Sequence, residues 1–332
     1  MFISLYDRNF RTISTNSTIN VDNYKIIKRA YDLNEFSAVC GSILLTAEPM
    51  FAILKTNEGD SYYDLLAPLI IREDNGISRI IGRDLFSIFN TECVVDFTTK
   101  QTSAKNLIEH IFDTWQAFDI SGFNVKIDVN SVTTTDAVYQ PSDKNIYNIK
   151  DLFSKSMKNY GLFYEGKINL QTRTLDFTIK TQTEQVRKIR LEDFNVNNFE
   201  KYQPAINTAI GMDTELTIRH NWYLLQNNAI TTLSALRDIF PTNTKIFIAD
   251  DVNQADFEAV SGLAENRFQE SIIINIVYDY DRLKDVGFNT SFEIYYQNKY
   301  YKTLPIGEII DDGTKNKILK IGNLPIDFIQ II

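Results

Sequence analysis

Short apolar runs separated by polar turns dominate the first 95 residues, a pattern that predicts strands. Tyr24 to Arg29, Phe36 to Cys40, Met50 to Lys55 and Leu65 to Ile71 are such runs, with Asp32-Leu33-Asn34-Glu35 as a polar connection and Asp74-Asn75-Gly76 as a turn before Ile77 to Ile81. The period changes near Thr98. Ser103 can cap a helix whose apolar face is Leu107, Ile108, Ile111, Phe112 and Trp115. A strand over Phe123 to Val129 and a polar loop over Asn130 to Asn145 follow. Asn148 caps a second predicted helix, with Ile149, Leu152, Phe153, Met157 and Tyr160 on one face and Gly161 as its stop. Leu162 to Ile168 and Thr174 to Thr181 then alternate as strands around the hairpin connection Asn169 to Arg173.

Beyond residue 190 the signal is mixed. Phe194 to Met212 is irregular, Thr214 to Ile218 and Asn221 to Leu225 predict strands, and Asn227-Asn228 suits a hairpin turn because Asn tolerates positive φ. A third helix is expected between Asn253 and Phe268, with Phe257, Val260 and Ala264 buried. The remainder predicts strands only: Ser271 to Tyr278, Phe292 to Tyr296, Tyr300 to Leu304, Gly307 to Ile310 and Ile318 to Ile321, with Asp311 to Thr314 as the last turn.

The chain of 332 residues is long enough for two or three packed units, and 44% of it is apolar. Its 22 Phe and 17 Tyr against 13 Gly and 7 Pro favour packed barrels or sandwiches over linkers. With a net charge of −9 and no basic run, no sequence-specific nucleic-acid binding is expected, and a channel lined by such a chain would repel nucleic acid. No apolar stretch reaches the ~20 residues of a membrane span, so no stable membrane insertion is expected, and the N-terminus lacks a signal-peptide pattern. Cys40 and Cys93 make no disulfide framework and are expected as buried or edge thiols.

Candidate chemistry is sparse. Gly161-Leu162-Phe163-Tyr164-Glu165-Gly166-Lys167-Ile168 matches most of a phosphate-binding loop. It fails where Ile168 replaces Ser or Thr, where bulky apolar residues fill the loop, and where a helix precedes and a strand follows. His110 and His220 have no second ligand at metal spacing. The acidic pairs Asp250-Asp251, Asp279/Asp281 and Asp311-Asp312 predict solvated turns, and Leu283 breaks a calcium-loop pattern. No catalytic, cofactor or metal residue is therefore assigned, and the chain is expected to be a structural assembly subunit. Tyr295-Tyr296 and Tyr300-Tyr301 flank a turn and can serve either an interface or barrel packing, and the apolar end Phe328 to Ile332 is expected to dock.

Several stretches, by order and spacing, resemble the tail-tip hub proteins of long-tailed, non-contractile bacteriophages. These form the N-terminal module of the tail-associated lysin (Tal) family and are similar to contractile-tail baseplate hubs. The stretches are the turn Tyr31 to Phe36; the Gly-Arg-Asp-Leu segment within Ile80 to Phe89; the helix Ser103 to Trp115; the helix, Gly and two strands of Ile149 to Ile179; the hairpin Asn221 to Ile230; and Asp281-Arg282-Leu283 through Gly287, then Phe292 to Ile310 and Ile318 to Gly322. Thr91-Glu92-Cys93 stands where the family often has an Arg, and Asn227-Asn228 where it often has Gly. The resemblance implies an α+β, β-rich fold with two barrel-like β domains and small α+β insertions, forming a pseudo-sixfold ring as a trimer. The implied units are a first barrel-like domain at 1–95, an α+β domain at 96–190, a second barrel-like domain at 191–235 with 272–332, and a helix-containing insertion at 236–271. It further implies a homotrimer in the virion tail tip, assembled in the host cytoplasm. The ring would dock on the hexameric distal tail protein, contact the tape measure and receptor-binding or other baseplate proteins, close the tube and open for DNA. Many relatives carry a cell-wall hydrolase after this module, whereas this sequence ends at Ile332. A hydrolase acting through an acidic pair and a glycan- or receptor-binding tail module are the alternatives.

Overall fold

The computed structural model describes residues 1–322 apart from 14–17, 44, 59, 119–121, 133–139, 183–184, 203–204, 227–228, 240–241, 266–268, 278–282, 284 and 314–315. The chain begins with six strands, β1 (Phe2–Tyr6), β2 (Ile19–Arg29), β3 (Glu35–Gly41), β4 (Phe51–Lys55), β5 (Ser61–Asp74) and β6 (Ile77–Asp84). They pair in the order β1-β4-β5-β6-β3-β2, and β1 also pairs with β2, so the pairings form a closed cycle. Alternation explains what lies inside. Ile3, Leu5, Ile26, Phe36, Ala38, Cys40, Ala52, Leu54 and Ile80 are buried together.

A 3-10 turn, Leu85–Phe89, leads into the central α+β segment. This comprises β7 (Glu92–Asp96), α1 (Ala104–Ala117), β8 (Asn124–Ser131), β9 (Lys144–Asn148), α2 (Ile149–Tyr160), β10 (Leu162–Asn169) and β11 (Thr174–Thr181). Both helices start where the sequence predicts. Ser103 accepts a hydrogen bond from the Asn106 N–H and Asn148 from the Asp151 N–H, and Gly161 ends α2 at φ 61°. Strands β8, β10 and β11 form one small sheet, and β7 and β9 a ribbon. Phe89 sits at the centre of the core they cover. Its ring lies 4.8 Å from Trp115, 4.9 Å from Phe153, 5.0 Å from Phe177 and 5.2 Å from Phe86.

Next come β12 (Gln185–Arg190) and β13 (Asn195–Tyr202), then β14 (Thr208–Asp213), β15 (Arg219–Leu224), β16 (Ile230–Thr231), β17 (Thr244–Ala249) and α3 (Val252–Glu265). The last strands are β18 (Gln269–Val277), β19 (Thr290–Tyr296), β20 (Lys299–Asp311) and β21 (Asn316–Ile321). A second six-strand path runs β12-β19-β20-β21-β18-β13, and its two end strands are consecutive in sequence. The paths join where β2 pairs with β20 over Ile26 to Arg29 and Glu308 to Asp311.

Several expectations are corrected here. The expected strand at Thr214 to Ile218 is a turn, in which Asp213 accepts from the Thr217 and Ile218 N–H groups and the Thr217 hydroxyl. The irregular stretch Phe194 to Met212 contains β13 and β14. The polar loop Asn130 to Asn145 ends in β9. The two strands expected around Gly307 are one, β20, whose register shifts between Ile306 and Glu308 just past Pro305, which has no N–H to donate. β12, expected with the central unit, pairs with β19; β14, β15 and β16, expected with the last strands, pair with β17 in a separate four-stranded sheet. Among the described residues no helix is long and apolar enough to cross a membrane.

Candidate assembly surfaces

The junction between the two six-strand paths is built from charge. Arg29, near the end of β2, donates to Glu35 at 2.7 Å, to the Leu33 carbonyl at 2.8 Å and across the junction to Glu308 at 3.3 Å. Lys320 of β21 reaches the same Glu308 at 2.5 Å. Lys28 lies over the rings of Tyr62 and Tyr63, and Tyr62 donates to Asp311. Burial, with Lys317 nearby, holds the Lys28 ammonium below its ordinary value. Behind this cluster, Asp84 is buried and accepts from Asn34, Tyr63 and the Phe86 N–H. Burial raises its carboxyl above the usual range, and burial beside Asp84 raises the Tyr63 and Tyr164 phenols. Such a network contributes little net stability but fixes one geometry when every partner is met. The sequence reading missed it. Its only signal was charge inside strand runs, at Lys28-Arg29 and Arg83-Asp84.

The other residues weighed in the sequence find structural roles. Gly161 caps α2, and Leu162 to Asn169 is a strand paired with β11, so no loop surrounds a phosphate. His110 sets Nε2 2.8 Å from the Asp96 carbonyl. His220 sets Nδ1 2.6 Å from Asp256, whose other oxygen accepts from Trp222 at 2.8 Å. Asp251 accepts from the Asn253 N–H at the start of α3. Asp311, expected solvated, is buried by the junction. Cys40 and Cys93 are free, buried, and belong to different cores; burial pushes the Cys40 thiol up to about 11. Asp279, Asp281, Arg282, Asn227-Asn228 and Phe328 to Ile332 lie outside the described residues. Among the described residues no three His, Cys, Asp or Glu gather as metal ligands.

Among the described residues, apolar side chains stand exposed on several surfaces, and three of these are built from paired strands. On the four-stranded sheet, α3 covers only one face. Ala209, Trp222, Leu224, Val260 and Leu263 pack there, and Gly211 and Gly262 permit close approach, since a Cβ would run into Asp256 at the first and meet Phe247 at 2.6 Å at the second. The opposite face carries Ile210 and Met212 beside exposed Ile246 and Ile248. On the β7–β9 ribbon, Cys93 and Val95 point inward and Val94 and Ile146 stand opposite each other in solvent. At the β19–β20 hairpin, Gln297 and Asn298 take positive φ in the two-residue turn, Tyr295 packs 5.9 Å from Tyr300, and Tyr296 and Tyr300 are exposed.

No family model matches the chain, and no curated protein matches it in sequence. Solved structures do. The 43 kDa tail protein of prophage MuSo2 from Shewanella oneidensis is similar at a TM-score of 0.54 and 11% identity, with 97% of each chain covered. Prophage tail protein gp18 from Listeria monocytogenes EGD-e is similar at 0.54 and 11%, covering 98% of this chain and 95% of that one. A chain of the phage P2 baseplate in its activated conformation with Ca is similar at 0.51 and 12%, covering 97% and 98%. The chain carries, over nearly its whole length, the fold of phage tail and baseplate proteins.

Proposed function

We propose that the chain is the structural hub of a phage tail tip, acting as a homotrimeric ring and not as an enzyme. The observation that carries this reading is the pair of six-strand units held edge to edge by β2 and β20. We take them as the two barrel-like domains of a ring subunit. The first closes through β1 and β2; the second brings its end strands together through the three-residue turn Leu191–Asp193. Two such units per chain turn threefold symmetry into an approximate sixfold, the symmetry needed to sit on a hexameric distal tail ring. The charged junction keeps the two units at a fixed angle, which a ring requires. The net charge of −9 favours a conduit that does not hold passing DNA.

In this role the ring closes the tube until neighbouring baseplate proteins rearrange it for DNA passage, and it meets the tape measure protein on its tail side. The virion tail tip is its location. A hydrolase working through Asp311 finds no support, because that carboxylate is buried and accepts from Tyr62 and the Gly313 N–H. Cryo-electron microscopy of tails before and after receptor engagement tests the reading. Threefold density for this chain at the tip, with a bore that widens on engagement, is expected. An unchanged bore removes the gating role, and density away from the tip removes the hub.

A further inference from the structure

Resting on the trimeric reading, we infer which surfaces join neighbouring subunits: the uncovered face of the four-stranded sheet in one copy packs on the β7–β9 ribbon of the next. A closed threefold ring is heterologous, so each subunit must present two unlike, complementary patches. The chain presents such a pair. The sheet offers Ile246 and Ile248, 53% and 57% exposed, along the edge strand β17, with Ile210 and Met212 beside them. The ribbon offers Ile146 and Val94, 63% and 39% exposed and directly opposite each other. Both are β surfaces whose reverse faces are already packed; on the sheet, Arg237 covers Tyr223 at the β15 side, and the part left to cover is the β14–β17 side with Ile246 and Ile248.

Charge selects the pairing. On the sheet face the register puts Arg219 beside Met212, where it donates to Asn221 at 2.9 Å and has no ion pair among the described residues. On the ribbon face Asp96 is matched by Lys144 at 3.8 Å, whereas Glu92 has no ion pair among the described residues. The unmatched charges are opposite in sign. The tyrosine hairpin is the third of these surfaces; there β12 puts Val186, Lys188 and Arg190 on the same face as Tyr295, Lys188 is matched by Glu293, and Arg190 lies within the field of Glu192. With those charges matched, it offers Arg219 no unpaired carboxylate, which disfavours it as the partner of the sheet.

The test uses the full chain with Ile146→Cys and Ile246→Cys together, oxidised and run under denaturing conditions, with native mass measured in parallel. The double variant is expected to yield covalent trimers, and each single variant none. Arg219→Glu or Glu92→Arg alone should weaken the trimer about tenfold, and the two combined should restore it to within about threefold. A native trimer with neither the cross-link nor the restoration overturns this inference and leaves the hub reading standing. Covalent dimers from Ile246→Cys alone overturn it by showing that the sheet face meets its own copy. A native monomer overturns the trimeric reading and the inference with it.

Discussion

The central α+β segment and the four-stranded unit of residues 206–265 are both small sheets covered by helices, yet they bury themselves to different degrees. In the central segment Phe86, Phe89, Phe112, Trp115, Phe153 and Phe177 interlock, and the same core continues into Ile272, Ile274, Phe292 and Ile294 of the last strands. In the four-stranded unit a single helix covers one face; Ala209, Trp222, Leu224, Ala259, Val260 and Leu263 form its buried cluster, with Ile206, Ile230, Ile239 and Phe247 packed against it, while Phe257 of that helix joins the central core. Of the 15 exposed large apolar side chains among the described residues, six lie in its stretch 216–248: Leu216, Ile218, Leu233, Leu236, Ile246 and Ile248. A monomer leaves such a surface open only where something else covers it. One region carries the larger buried core, and the other keeps the apolar surface that the proposed assembly would cover.

That contrast can be broken by substitution. Phe89→Ala empties the middle of the aromatic core and should destabilise the whole chain by roughly 3–5 kcal/mol. Thermal unfolding followed by circular dichroism reads the loss, and a shift of only a degree or two would deny that core its central place. Gly211→Ala should cost less, about 1–3 kcal/mol, because its Cβ drives into Asp256 and pushes α3 off the sheet. Hydrogen exchange should then rise within 206–265 and not in the central segment. An even rise along the chain would mean that the two regions are not separable.

Titration separates the four-stranded unit from the junction network, with a smaller effect. Burial raises the Asp84 carboxyl in the fold, so its contribution is largest below the unfolded value of about 3.9 and is lost as pH rises through the raised folded value. Asp213 runs the other way. Hydrogen bonds from the Thr217 hydroxyl and the Ile218 N–H lower it, so its contribution is present above about 3.9 and is lost as pH falls through the lowered folded value. Stability profiles against pH for Asp84→Asn and Asp213→Ala should each lose one of these slopes. Profiles that match the unsubstituted chain would show that neither site is linked to folding.

Much of the fold was legible where burial is one-sided and ends are marked. The caps at Ser103 and Asn148, the stop at Gly161 and the hairpin around Asn169 to Arg173 all lie where periodicity and capping chemistry put them. Strands β9, β12 and β17 were not legible, for a common reason. Each is largely exposed, so none shows a clear alternation of buried and exposed positions in its sequence. Two of these strands, β9 and β17, carry the proposed subunit contact, because a surface waiting for a partner lacks the pattern that marks a finished core. The junction was hidden differently. Arg29, Glu308 and Asp84 read as ordinary surface charges until the β2–β20 pairing brings them together.

Native mass spectrometry of the full chain, alone and with the hexameric distal tail protein, tests the hub reading most directly. The account predicts a species of about three times 38.3 kDa that binds one face of the hexamer as a single trimer. A monomer that stays monomeric and unbound when the hexamer is added would contradict it.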